Sequence, residues 1–201
     1  MSSAGTAVAK MAINEKMGNM KGYIDGQQKI QINWADYNYP PLVNVIHFRL
    51  DELTSNPDIR AQVRNIWISH LVLFAVSILN LISNIAQAAG LVGQGMRIFY
   101  SFMFFFLFNS LHTLYFYWGY KGITVEKSLL NRVKYLGILL AILYLIFSIV
   151  DWVNFDGWIR VSYLFSQGQG FAAVIGLIES ISLTLLYIFL GFFTYKVQLM
   201  I

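Results

Sequence analysis

This sequence predicts an all-α fold: an integral membrane four-helix bundle with an amphipathic pre-membrane segment and cytosolic termini. Three observations point there. Only 12% of the 201 residues are charged and 57% are hydrophobic, with a mean hydropathy of +0.58; a soluble domain carries roughly 25% charged residues. Residues 66–91 contain no charged side chain, and at about 1.5 Å per helical residue such a run crosses a hydrocarbon layer of roughly 30 Å. Further apolar runs follow at 98–118, 135–150 and 171–195. Finally, the basic residues alternate in side. Arg60 and Arg64 precede the first run, Lys121, Lys127, Arg132 and Lys134 separate the second from the third, and Lys196 follows the fourth. The opposite connections hold only Arg97 and Arg160, so the positive-inside asymmetry puts both ends of the chain in the cytosol.

Taken in order, residues 1–37 are polar, with Gly18, Gly22 and Gly26 outside any apolar run. That is the composition of a flexible cytosolic tail, with at most a short surface helix over 8–20. No apolar h-region precedes the first span, so no cleavable signal peptide is expected. In the juxtamembrane segment 38–56, Asn38-Tyr39-Pro40-Pro41 reads as extended, because each proline drives its predecessor towards β or polyproline geometry. Val43, Ile46, Leu50 and Leu53 then recur at helical spacing, with Arg49, Asp51 and Glu52 elsewhere on the wheel. Such a piece either lies in the interface as an amphipathic helix or packs on the cytosolic end of the bundle.

Asn56-Pro57 reads as a cap followed by the first helical position, and the helix continues through Arg60, Arg64 and Trp67 into the first span. Gly90, Gly93 and Gly95 end it. The second span is dense in Phe and Tyr, and a short basic loop over 121–134 leads to the third, whose apolar run is short for a bilayer, so that it either borrows interfacial residues or sits nearly upright. A polar loop over 151–170, carrying Asp151, Asp156 and Arg160, leads to the fourth. Spans this closely connected cannot bury separate cores, so 57–201 is one bundle.

In the first span His70, Ser77, Asn80, Asn84 and Gln87 share one side of a helix, a face suited to other helices and costly against lipid. Glu179 is the one formal charge well inside a span, at the depth of Asn80 and Asn84. It is expected as a hydrogen-bonded packing group, with a proton or ion relay as the alternative. His70 and His112 fall in the cytosolic thirds of their spans, with Asn109 one turn from His112; no third ligand is evident, so interhelical hydrogen bonding is expected in place of a metal. Cysteine is absent, and no zinc motif, P-loop, nucleophile elbow or carboxylate pair appears, so neither catalysis nor a cofactor is indicated. Despite a pI near 9.2, the cations flank spans and form no single patch, which argues against nucleic acid.

The most promising surface is the aromatic and basic stretch between the second and third spans. Tyr117, Trp118, Tyr120, Lys121, Lys127, Arg132 and Lys134 are the candidates for contact with lipid or partners. Aromatics anchor at headgroup level, and each cation attracts anionic lipid by about 1 kcal/mol near the surface. An ordinary aromatic belt obeying the orientation rule is the alternative.

With these residues in view, the chain resembles the secretory carrier-associated membrane protein (SCAMP) family. Asn38-Tyr39-Pro40-Pro41 and Val45-Ile46-His47 match the family's pre-membrane motif, and Gly157-Trp158-Ile159 stands before the fourth span. The similarity covers residues 38–199 in patches. Between spans two and three the family carries Cys-Trp-Tyr-Arg-Pro followed by Tyr-Lys. Here Tyr120-Lys121 is kept while the preceding Cys, Arg and Pro are replaced, and the family's Asn-Pro-Phe repeats are missing from the tail. The resemblance implies a non-enzymatic tetraspan protein of Golgi, endosomal or secretory-vesicle membranes. It would act in vesicle traffic through membrane lipids, anionic phosphoinositides among them, and through trafficking proteins; a homo-oligomer is compatible with it. The alternatives are an accessory subunit of a larger membrane assembly, whose polar stripe would face neighbouring chains, and a small proton-coupled transporter using Glu179.

Overall fold

A computed structural model describes residues 32–40, 44–53, 57–91, 93–152 and 154–200. The expectations for the tail over 1–31, the surface helix over 8–20, Pro41, Val43 and the Asn56 cap lie outside the described residues. Four helices are long and apolar enough to cross a membrane: α1, Pro57–Gly90; α2, Gly95–Thr124; α3, Ser128–Ile149; and α5, Gly170–Met200. Between α3 and α5 lie β1 (Asp151–Trp152), β2 (Phe155–Asp156) and a short helix α4 (Trp158–Ser166). The protein is an integral, multi-pass membrane protein. Short connections make the long helices alternate in direction, and α5 packs against both α1 and α3 while α2 packs against α1. The end at which α1 starts and α5 finishes carries the Lys and Arg residues counted above; it is called the basic end below.

The helices outrun the apolar segments in a physically ordinary way. α1 has no glycine before its last residue, and the chain turns at Gly93, whose φ of 81° is left-handed backbone that glycine adopts without a Cβ penalty. α3 is not short. It begins at Ser128, and its 22 residues reach about 33 Å, because Arg132 and Lys134 occupy its first turns and keep their charged heads towards water. The basic loop expected over 121–134 is therefore mostly helix, with only Val125–Lys127 connecting α2 to α3.

The segment before α1 does not form a long amphipathic helix. Residues 44–50 are irregular and only Asp51–Leu53 make a 3-10 turn. Nor does the Asn-Tyr-Pro stretch run straight: the Tyr39–Pro40 peptide is cis and Tyr39 pairs antiparallel with Ile46. Asn38 explains its own place in this turn. Its N–H donates to the Ile46 carbonyl at 3.0 Å, and its Oδ1 accepts from the Phe48 N–H at 2.8 Å. Asn44 takes φ 51°, a left-handed conformation that a short amide side chain tolerates. Tyr39, Ile46, His47 and Leu53 are all buried, so of the two placements open to this segment the structure shows packing on the bundle. Local helical spacing lost to the gain from burying these side chains together.

The bundle interior is aromatic-rich, with Tyr115, Phe116, Tyr120 and Tyr144 wholly buried. Outward faces hold Phe99, Phe102, Phe106, Leu139, Ile142, Leu185 and Phe192, an apolar coat that suits lipid.

Candidate functional site

Two constellations stand out, one at each end. At the basic end the pre-membrane segment caps the bundle. Trp34 lies with its ring centroid 5.0 Å from Tyr120 and 5.8 Å from His47. Phe48 contacts Phe116 edge-on at 5.0 Å and Tyr120 at 5.7 Å. His47 is fully buried; its Nδ1–H donates to the Asp36 carbonyl at 2.8 Å, and its Nε2 lies 2.8 Å from Glu52 Oε2. That pair fixes the segment polar side inward, where an unpartnered ring nitrogen would be costly.

Around this cap sit the expected contact residues. Lys121 Nζ stands 5.8 Å over the Trp34 ring and 3.2 Å from Glu126 Oε2, which holds the exposed Glu126 carboxyl below its ordinary range. Arg132 covers Trp118 at 5.7 Å and Lys134 covers Tyr135 at 5.8 Å. Lys127 and Arg132 are exposed, and Tyr117 and Trp118 are half-buried. Tyr120 is different: it is fully buried, packed under Trp34 and Phe48, and so is removed from the membrane-contacting set. Consecutive aromatics on a helix cannot all face outward, and Tyr120 is on the inner side with Phe116 and Ile123.

At the far end the connection read as a polar loop is a plug. Asn154, Phe155 and Asp156 are all buried. Phe155 stacks on Phe147 with centroids 3.7 Å apart and meets Phe104 edge-on at 4.5 Å. Beside it the polar stripe of α1 finds its partners. Asn80 Nδ2 and Asn84 Nδ2 each donate to the Asn154 carbonyl at 2.7 Å, and Asn80 Nδ2 also donates to Glu179 Oε1 at 2.9 Å. Gln87 Nε2 donates to the Asp156 carboxylate at 2.8 Å, and the Ser83 hydroxyl donates to it as well. The Ser180 hydroxyl donates to the Asp156 carbonyl.

Two arginines close the network. Arg97 donates through Nε to Asn84 Oδ1 at 2.7 Å, and its Nη1 and Nη2 meet Asp151 and Asp156, each at 3.2 Å. Arg160 donates to Gln87 Oε1 at 2.7 Å and lies 3.5 Å from Asp151. Burial pushes the Asp156 carboxyl up from its ordinary value, against the pull of Ser83, Gln87 and both arginines. Burial and the neighbouring Arg97 lower Arg160. A Cβ on Gly176 would stand 2.8 Å from Asp156 Cβ, so this bare position of α5 makes room for the plug.

The structure thus brings together Asn80, Asn84, Gln87 and Glu179, but separates them from His70, Asn109 and His112. Asn109 Nδ2 donates to Ser77 Oγ at 2.8 Å. The two histidines lie 5.9 Å apart and stack on Phe116 and Tyr115. Among the described residues neither His112 nitrogen nor His70 Nδ1 has a hydrogen-bond partner, and both rings are packed on aromatic neighbours. Among the described residues no three His, Cys, Asp or Glu side chains are grouped to hold a metal ion.

Sequence reasoning missed Arg97, Asn154, Asp156 and Arg160 as interior groups. The available signal was the stripe itself, whose amides required more partners than Glu179 alone supplies. Trp34 and His47 gave no such signal.

A protein-family profile described as SCAMP family matches residues 36–201. The chain belongs to the SCAMP family. The matched region opens within the turned segment and takes in all four membrane helices of this SCAMP, so the plug at the far end and the cap at the basic end, apart from Trp34, lie inside it. No curated protein and no solved structure matches the chain.

Proposed function

We propose that this SCAMP is a non-enzymatic tetraspan protein of vesicle traffic in post-Golgi and endosomal carriers, acting through contacts with the cytosolic leaflet and with trafficking proteins. The observation that supports this most is the surface at the basic end. There Lys121 and Arg132 lie over Trp34 and Trp118 of an aromatic cap that also holds Tyr117, with Lys134 over Tyr135 and Lys127 exposed between α2 and α3. Cations held on rings at headgroup level suit anionic phospholipids, phosphoinositides included. The far-end arginines favour the same orientation. Arg97 and Arg160 are engaged by Asp151 and Asp156, so they add no free positive charge to the side read as lumenal.

The accessory-subunit reading loses most of its argument, because the Asn80, Asn84 and Gln87 part of the α1 stripe meets Asn154, Asp156 and the two arginines within the chain. Glu179 likewise sits inside a packed hydrogen-bonded network, which favours a packing role over a transport path.

The test uses the full chain reconstituted into neutral proteoliposomes and mixed with acceptor vesicles that contain or lack anionic phospholipid. The native chain should cluster the anionic acceptors. Replacing Lys121, Lys127, Arg132 and Lys134 together by Gln should abolish most of that clustering. Equal clustering by both proteins would reject the mechanism.

A further inference from the structure

On the membrane-facing flank where α1 packs against α5 there is a groove of about 410 Å³. Asn65, Ser69 and Val72 of α1 and Ser182, Leu185 and Phe189 of α5 line it. Its size falls in the range of small-ligand sites, and its position, level with the apolar part of both helices, makes the lipid tail the material on hand to fill it. The mouth is not apolar. Ile68 also lines the groove, and Arg64 lies one turn nearer the basic end on the same side of α1. Arg64 is exposed and has no acidic partner among the described residues. On α5, Phe192 follows Phe189 by one turn, and Lys196 Nζ sits 4.6 Å over the Phe192 ring. Asp58, the acidic residue on this side of α1, has an interaction of its own and lies two turns beyond Asn65.

We infer that the α1/α5 groove is a binding site for one anionic glycerophospholipid of the leaflet at the basic end, with an acyl chain along Ser69, Val72, Ser182 and Leu185 and the headgroup phosphate between Arg64 and Lys196. The small side chains Ser69 and Ser182 leave the chain its room. Asn65 offers a neutral amide at the depth of the glycerol esters. The cations supply the anion preference, as basic pockets between membrane helices on the cytosolic side do. This site is separate from the Lys121–Lys134 surface and does not rest on the trafficking proposal.

Native mass spectrometry of the full chain, exchanged into detergent and supplied with phosphatidylserine or phosphatidylcholine, tests it. The native protein should retain one phosphatidylserine in clear preference to phosphatidylcholine. Arg64→Gln with Lys196→Gln should reduce that preference by roughly thirtyfold, given the contribution of each interfacial cation, while leaving a lipid bound. Ser182→Phe and, separately, Ser69→Leu should remove bound lipid of both kinds while the protein stays helical and monodisperse. Soluble glycerophosphate, which has the anion without the tail, should not compete. The variant lacking Lys121, Lys127, Arg132 and Lys134 should keep the lipid, so failure of the trafficking surface is distinguishable from failure of this site. Equal retention of the two lipids by the native chain, or unchanged occupancy in both groove-filling variants, would overturn the inference.

Discussion

Asp156→Ala is the substitution that probes the far-end plug most directly. Asp156 is wholly buried and its carboxylate accepts from Ser83, Gln87 and Arg97. Truncating it removes those acceptors at once. Breaking a buried ion pair from one side costs about 3–5 kcal/mol. The structure places this case at the lower end, since Arg97 keeps Asp151, Asn84 and the Phe155 carbonyl, and Gln87 Nε2 keeps Ser83 Oγ at 3.2 Å. About 3 kcal/mol is therefore expected, or roughly 6–12 °C in the melting temperature of a chain of this size. Thermal unfolding in detergent, followed by intrinsic fluorescence, reads it. Arg97→Met alone should cost a similar amount by leaving the carboxylate with only its neutral donors. The double variant should then fall short of additivity by about 1–3 kcal/mol, because each substitution already removes the shared contact. A melting temperature for Asp156→Ala within two degrees of native (about 0.5–1 kcal/mol), or strict additivity in the double variant, would refute the network as described.

The pH dependence has a definite sign. A carboxyl raised by burial holds its proton in the folded chain at pH values where the unfolded chain, with an ordinary value of about 3.9, has lost it. Stability is then greatest in acid and declines as pH rises through that window. Asp156→Asn should flatten that decline, and an unchanged pH profile would count against the assignment. Gly176→Ala should destabilise by about 1–3 kcal/mol through overpacking, since its Cβ would lie 2.8 Å from Asp156 Cβ; Gly191→Ala, in open space on the same helix, is the control and should melt like the native chain. At the basic end, Trp34→Ala should raise protease cleavage within residues 32–53 while the helical circular dichroism stays unchanged, because Trp34 pins the cap through Tyr120 and Lys121 without touching the plug.

The far end also shows how structural polar groups and membrane topology support each other. One aspartate, Asp156, and two arginines, Arg97 and Arg160, carried into an apolar bundle would be prohibitive singly, and the exposed Asp151 meets both arginines from the rim. Held in one network with Asn80, Ser83, Asn84 and Gln87 of α1, Asn154 of the plug and Ser180 of α5, each finds a partner, and the α3–α5 connection is locked in place. Such networks specify one arrangement of helices where apolar packing alone leaves several open.

What the linear order of residues determined by itself was the number of membrane helices and their approximate extent. These follow from the length of charge-free runs, a quantity that needs no knowledge of neighbours in space. The inward-facing stripe of α1 was legible for the same reason, since helical periodicity depends only on spacing. The identity of the groups answering that stripe was not. Asn154 and Asp156 lie 70 and more residues from Asn80 and Ser83, and a short polar connection looks alike in sequence whether it floats in water or folds inward. The pre-membrane segment went the same way: its spacing suited a helix, but burial of Tyr39, Ile46 and Leu53 against α1 and α2 decided for a turn. Tertiary contacts decided both cases because the free energy of burying a side chain or pairing a charge depends on what surrounds it in three dimensions, and neighbouring residues in the chain do not fix those surroundings.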